Sequence, residues 1–339
     1  MKKDKEKATE KPTKSVLDSA LDWLQSIRHS GIEVIQRAKN LERTNMELGL
    51  RYLNQGNFFD AALRFRFVGW LNKNNHIAKY LEGKSYVYQG KFDKAIKPLQ
   101  FALAADPSLE EARFFLAVCG SDVEIDRVPP SILIEQLENT TDIYESQIVK
   151  GANYHVNEIL QEELFKYLGE KQGFTFLDLD CRSGDVGEVV LEKADKITGI
   201  EPSMGLIALA RQKRVDEKLV YNELINKMGI DFLHKNVDSE VPIKYDIITI
   251  TYSFLNYGSL DEYFALIART LKPKGLLAFN ISKASVTKGY EFEMDVMDFA
   301  HSNEYIAELA DEYGFKAIVE RDITYQSGKQ DVFYLMEKK

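Results

Sequence analysis

Apolar residues recur along this chain with two different periods, and the change from one to the other separates its two parts. From residue 174 onward, runs such as Phe174 to Asp180 and Tyr245 to Thr251 have the apolar, β-branched character of strands buried on both faces. They alternate with stretches in which apolar residues fall at helical spacing. Strands are predicted at 174–180, 197–201, 218–223, 245–251, 275–281, 316–322 and 331–336, with helices at 185–193, 204–214, 226–234, 260–271 and 301–313. Such alternation predicts a parallel sheet with helices on both faces. No helix separates the last two strands, so they are expected to pair antiparallel through Ser327-Gly328 at one edge. Upstream, 131–139 and 154–168 read as helices, the second carrying Ile159, Leu160, Leu164, Phe165 and Leu168 on a stripe that should pack on the sheet.

The first third of the chain repeats with a period of 34 residues. Gly49/Gly83, Tyr52/Tyr86, Gly56/Gly90, Phe58/Phe92, Ala61/Ala95 and Val68/Ala102 all match at that offset. Small residues stand where paired helices must approach closely, and large ones fill the gaps between units. The pattern resembles tetratricopeptide (TPR) repeats over two units. A third begins with Ala112, Leu116 and Ala117 and stops at Gly120. So short an array needs covered ends, and 15–39, with Val16, Leu17, Leu21, Leu24, Ile27 and Ile35, reads as a capping helix. The resemblance implies a protein or peptide partner in the groove of the repeats. The organisation expected is a basic tail over 1–14, the cap and repeats over 15–120, a linker over 121–151 marked by Pro129-Pro130, and an α/β domain over 152–339.

Composition narrows the partners. A net charge of -9 argues against a generic nucleic-acid or anionic-membrane binder. Cys119 and Cys181 are the only cysteines and have no metal-ligand spacing with histidine, so neither a disulfide framework nor a metal site is expected, and a reducing cytoplasmic location is. No apolar run is long enough to span a membrane.

The candidate chemistry lies at the start of the α/β domain. Glu201 follows the second predicted strand, 23 positions after Asp178 at the end of the first, close to the spacing that sets a carboxylate against a ribose diol. Between them runs Asp178-Leu179-Asp180-Cys181-Arg182-Ser183-Gly184. The turn argues against a nicotinamide-dependent oxidoreductase, because no Gly-x-Gly-x-x-Gly follows the first strand.

Together with Ile200-Glu201-Pro202-Ser203-Met204, Val220-Tyr221-Asn222-Glu223-Leu224, Lys244-Tyr245-Asp246-Ile247-Ile248, Leu271-Lys272-Pro273-Lys274-Gly275 and Phe299-Ala300-His301-Ser302, this segment resembles the class I S-adenosylmethionine-dependent methyltransferases, in particular bacterial ones with N-terminal TPR repeats. The resemblance implies an α + α/β chain whose second domain is Rossmann-like and seven-stranded, with S-adenosylmethionine as cofactor. It places Glu201 on the ribose hydroxyls, Glu223 at the adenine amino group, and Asp178 and Gly184 at the turn. The family's turn carries glycine where this chain has Asp180 and Arg182. Those side chains are expected either to pair with each other or to take the donor's ammonium and carboxylate respectively. Tyr252, Asn256 and Tyr257, after the fourth strand, are candidates for the acceptor pocket. The competing expectation is a catalytically inactive methyltransferase-fold scaffold or ligand-sensing protein, on account of Asp180 and Arg182.

Overall fold

Glycines and alanines at repeating positions determine how the first helices pack. The computed structural model describes residues 16–144, 155–325 and 328–339, with side chains from residue 34 onward. The chain divides into two compact units, residues 1–112 and 113–339. In the first, α1 (Val16–Asn54), α2 (Phe58–Leu71), α3 (His76–Val87) and α4 (Phe92–Ala105) follow one another through short turns. The 34-residue period is visible in the packing. Ala61, Phe65 and Val68 are fully buried on α2, and so are their counterparts Ala95, Leu99 and Ala102 on α4. A Cβ on Gly49 would lie 2.6 Å from the Phe65 ring, and one on Gly83 2.5 Å from Leu99, so each glycine admits the bulky residue of the next helix. The turns repeat as well. Gly56 and Gly90 take φ of +73° and +68°, and the amides of Asn57 and Lys91 reach back to the carbonyls of Tyr52 and Tyr86.

Two expectations change here. The described part of the stretch read as a cap, from Val16 on, is continuous with the first repeat helix in the 39-residue α1, which no proline interrupts. The unit boundary falls at Ala112/Arg113 rather than after Gly120, and the described part of the expected linker belongs to the second unit. There Pro130 opens a helix, being tolerated in the first turn where its missing N–H is not needed. The basic tail and residues 145–151 of the linker lie outside the described residues.

The second unit begins within α5 (Glu110–Val118) and continues with α6 (Pro130–Thr140), α7 (Val156–Leu168), β1 (Phe174–Asp178), α8 (Asp185–Val190), β2 (Ala194–Ile200), α9 (Met204–Gln212), β3 (Arg214–Val215), β4 (Lys218–Leu219), β5 (Glu223–Ile225), α10 (Gly229–Val237), β6 (Tyr245–Ile250), α11 (Asp261–Thr270), β7 (Leu271–Lys283), β8 (Tyr290–Glu293), β9 (Asp298–His301), α12 (Asn303–Glu312), β10 (Phe315–Thr324) and β11 (Gln330–Lys338). The main sheet runs β10-β11-β7-β6-β1-β2-β5, with β8 and β9 attached beside β7. Strands β5, β2, β1, β6 and β7 are parallel, whereas β11 is antiparallel to both β7 and β10. Alternate side chains supply two cores. Leu177, Ile248, Leu277 and Phe279 pack under α10, α11 and α12, while Phe176, Ile247 and Ala278 pack under α7 and α8.

The strand predicted at 218–223 is divided. Lys218–Leu219 pairs with Arg214–Val215 in a separate two-stranded ribbon, and only Glu223–Ile225 joins the main sheet. Between them the Tyr221 ring turns inward, where Gly187 and Gly199 leave room: a Cβ on either would lie within 2.7 Å of it. The β8–β9 hairpin is absent from the sequence reading. Its strands run for only four residues each, and only β8 alternates apolar and acidic positions, too short a pattern to be distinguished from loop. Ser327 lies outside the described residues.

Candidate functional site

The turn after β1 stands at the carboxyl edge of the parallel strands, where α/β sheets bind ligands. Gly184, with φ +100°, precedes α8 and hydrogen-bonds to the Cys181 carbonyl at 2.7 Å. Arg182 also takes a positive φ, +47°. The backbone therefore keeps a left-handed conformation that glycine enters freely and an L-residue enters at roughly 1 to 2 kcal/mol.

Asp178 sits below the turn and is 1% exposed. Tyr221 Oη donates to it at 2.7 Å and Thr249 Oγ1 at 3.0 Å, which leaves it facing the sheet. Burial, reinforced by Asp180, raises its carboxyl to about 8. Asp180 is equally buried, but its partners are backbone amides at the start of the loop after β6: Thr251 at 3.0 Å, Tyr252 at 2.5 Å, and Ser253. Its carboxylate thus binds one loop to the next. Three of its roughly four acceptor sites are thus taken by amides, and the nearby Arg182 charge favours its ionised form against burial.

Arg182 turns towards Glu201. Glu201 is fully buried at the end of β2 and accepts from the amides of Ser203 at 2.8 Å and Arg182 at 3.2 Å, with Arg182 Nη1 at 3.8 Å. Burial raises the Glu201 carboxyl above its ordinary range, and the Arg182 guanidinium opposes that rise. Burial also works against the charge of Arg182, but Glu201, Tyr144 and Asp180 outweigh it and keep the guanidinium protonated. The guanidinium lies 5.1 Å from the centre of the Tyr252 ring, which in turn meets the Tyr144 ring edge-on at 6.5 Å. Arg182 Nε, buried, has no acceptor among the described residues. Glu201 and the arginine beside it are thereby closed onto each other.

The remaining candidates separate. Glu223 opens β5 opposite Thr198, two residues short of the carboxyl end, and pairs with Lys196 at 3.3 Å in solvent, away from Glu201. The side chain at the proper edge is Asn226, which donates to the carbonyls of Glu201 at 3.0 Å and Pro202 at 2.8 Å. Of the three residues after β6, Tyr252 borders Arg182. Asn256 donates back to the Tyr252 carbonyl at 3.3 Å, and Tyr257 packs 5.0 Å from Tyr263 in the core. Buried His301 donates from Nε2 to the carbonyls of Tyr257 and Gly258, both at 3.0 Å, so it fixes that loop; burial holds its imidazole down at about 4.

Tyr144 and Glu138 were not legible as site residues, because they come from the expected linker. Glu138 on α6 accepts from the amide of Met204 at 2.7 Å and so caps α9, and Gly205 permits the approach, since a Cβ there would lie 2.5 Å from Thr141 Oγ1. Among the described residues no His, Cys, Asp and Glu cluster could hold a metal ion, and no helix is long and apolar enough to cross a membrane.

Residues 152–320 match the family described as a methyltransferase domain. Of curated relatives, YqeM of Bacillus subtilis (strain 168), which bears a methyltransferase name, is 28% identical over 111 residues, 31% of this chain and 41% of that protein. GWCH70_2453 of Geobacillus sp. (strain WCH70), similarly named, is 23% identical over 140 residues, 40% of this chain and 53% of its own. The chain thus spans about half the length, or less, of the curated relatives it matches. Among solved structures, the cyclase SpnF aligns with 64% of this chain and 99% of its own at 14% identity, with a TM-score of 0.51. That likeness shows a shared fold, and SpnF's name shows that the fold also serves reactions other than methyl transfer. The parallel sheet and terminal antiparallel pair agree with the family match, and the second unit is thus similar to a methyltransferase domain.

Proposed function

We propose that the chain transfers a methyl group from S-adenosylmethionine to an acceptor, and that the buried Glu201 carboxylate at the edge of β2 carries this reading. An ionised carboxylate accepts hydrogen bonds and cannot donate them, which suits a ribose diol, and the uncommitted Nε–H of Arg182 suits the donor's carboxylate. When bound, the donor supplies an electrophilic methyl on a sulfonium. The protein's part is to hold it in line with the acceptor and exclude water, with Tyr252 at the rim. Arg182 must leave Glu201 for the diol to enter. Gly184 keeps the turn open to close backbone approach, whereas Asp178, Asp180 and Glu223 act structurally in this reading.

Titration calorimetry with S-adenosylmethionine and its demethylated product tests the proposal. Binding of either supports it; no heat from both up to millimolar concentration defeats it. The closed Arg182–Glu201 contact favours a second reading, a non-catalytic methyltransferase-fold scaffold, which that null result would select.

For the helical unit, we infer docking of a protein or peptide segment on TPR-like repeats. Phe67 and Phe101 stand 34 positions apart and leave 38% and 43% of their surface exposed, and Trp70 leaves 70%, an apolar set that a partner can cover. Alanine at Phe67 and Phe101 together should abolish retention of a cognate partner without unfolding the helices. Undiminished retention would refute the placement.

A further inference from the structure

Apart from the Glu201 site, the second unit carries a pocket of about 950 Å³. One wall is the β8–β9 hairpin, and the other is the end of α5 with the extended strap over residues 121–126. Both walls are tied down. Gly258 N donates to Asp126 O at 2.6 Å and Val128 N to Asn256 O at 2.8 Å, which fastens the strap to the loop after β6. On the hairpin side, Phe292 meets Phe114 at 5.7 Å and Phe299 at 5.2 Å between ring centres. The volume lies within the range of small-molecule sites, roughly 300–1,000 Å³.

Two kinds of side chain line it. Tyr290 and the half-buried Phe292 supply aromatic surface, backed by the buried Phe299, and Tyr290 keeps 39% of its own exposed. Asp122, Glu124 and Asp126 project from alternate positions of the strap and are exposed, while the apolar Val123 and Ile125 between them are half-buried. Glu291 adds a fourth carboxylate, already engaged by the amide and hydroxyl of Ser285. Arg113 is the only cation among the lining residues. A predominantly acidic cleft, walled by low-dielectric aromatic rings, concentrates its field inside. The Tyr290 hydroxyl registers that field: burial, then Asp126, Asp261 and Glu124, raise it above its ordinary value.

We propose that this pocket binds an organic cation, an ammonium group carried on an apolar body. The ammonium is attracted both by the carboxylates of the strap and by the faces of the rings, whereas an anion is repelled and a neutral ligand gains only apolar contact. The site lies at the carboxyl ends of β6 and β7, the same edge of the sheet that carries Glu201. It needs no methyl donor, so the result is independent of the reading above.

The test compares benzylamine, cationic at neutral pH, with benzyl alcohol, its neutral isostere, by saturation-transfer NMR and calorimetry on the full chain. Benzylamine is expected to bind at least about tenfold more tightly than the alcohol and to weaken at high salt, as exposed charge pairs do. Asp122→Asn/Glu124→Gln/Asp126→Asn should remove that preference, and Phe292→Leu should weaken both ligands. Equal binding of amine and alcohol, no salt dependence for the amine, or no binding by either ligand overturns the proposal. The salt comparison uses the unaltered chain, so it decides the matter even if the triple variant folds poorly.

Discussion

Replacing Glu201 by glutamine probes the contact that closes the site. The Nη1 to carboxylate distance of 3.8 Å gives a gross attraction of about 4 kcal/mol at an effective dielectric near 20, part of which is offset by desolvation of both groups. Glutamine removes that charge and leaves the buried Arg182 guanidinium with Asp180 as the remaining nearby carboxylate, so the loss falls at the low end of the order of 3–5 kcal/mol seen in buried pairs. It also sets an amide NH2 against one of the two backbone N–H groups that Glu201 now accepts from, at 2.8 and 3.2 Å. Glu201→Gln should therefore destabilise the second unit by about 3 kcal/mol. In an Arg182→Met background the same change should cost at least about 1 kcal/mol less, because no buried cation remains to be stranded. Urea unfolding can be followed by near-ultraviolet tyrosine dichroism. Trp23 and Trp70, the only tryptophans, both lie in the helical unit, so their fluorescence gives an internal control that should not move. A coupling below about 0.5 kcal/mol in this cycle would refute the pairing.

Arg182→Met should lower affinity for S-adenosylhomocysteine at least about tenfold while leaving 5′-methylthioadenosine, which lacks the amino-acid carboxylate, within about threefold; an equal loss for both ligands, or for neither, would count against the carboxylate role. Asp178, raised to about 8 in the fold against an ordinary value of 3.8, keeps its proton while the unfolded chain loses one. Stability should therefore fall as pH rises from about 4 to 8, by at most about 1.4 kcal/mol per pH unit from this group. Asp178→Asn should flatten that slope in pH-dependent urea titrations, and parallel profiles would contradict the assignment. In the helical unit, Gly83→Ala places a Cβ 2.5 Å from Leu99 Cγ and should cost about 1–3 kcal/mol, with Leu99→Ala in the same chain relieving the clash; thermal unfolding without such relief would refute the packing argument.

Much of the architecture was legible because burial leaves periodic traces in a chain. The 34-residue spacing survives as matched glycines and fully buried apolar residues, and the buried strands β1, β6 and β7 read directly from apolar runs. The short β5, the ribbon beside it and the β8–β9 hairpin were not readable, since strands of two to four residues are held by what packs on them. Tyr221 illustrates the limit: it looked like strand, but it faces Asp178 because two distant glycines make room for its ring.

The sequence by itself determined that a helical repeat precedes a doubly covered parallel sheet, and that an acid, Glu201, stands at the end of its second strand. These follow from local periodicity and spacing. Only the tertiary structure decided what the altered turn does, because a buried charge takes its role from partners far away in the chain. Asp180 joins the loop 71 to 73 positions on, and Arg182 closes over Glu201 beside Tyr252. Neither partnership can be read from the turn, whose residue types permit both the pairing with each other and the contacts that formed.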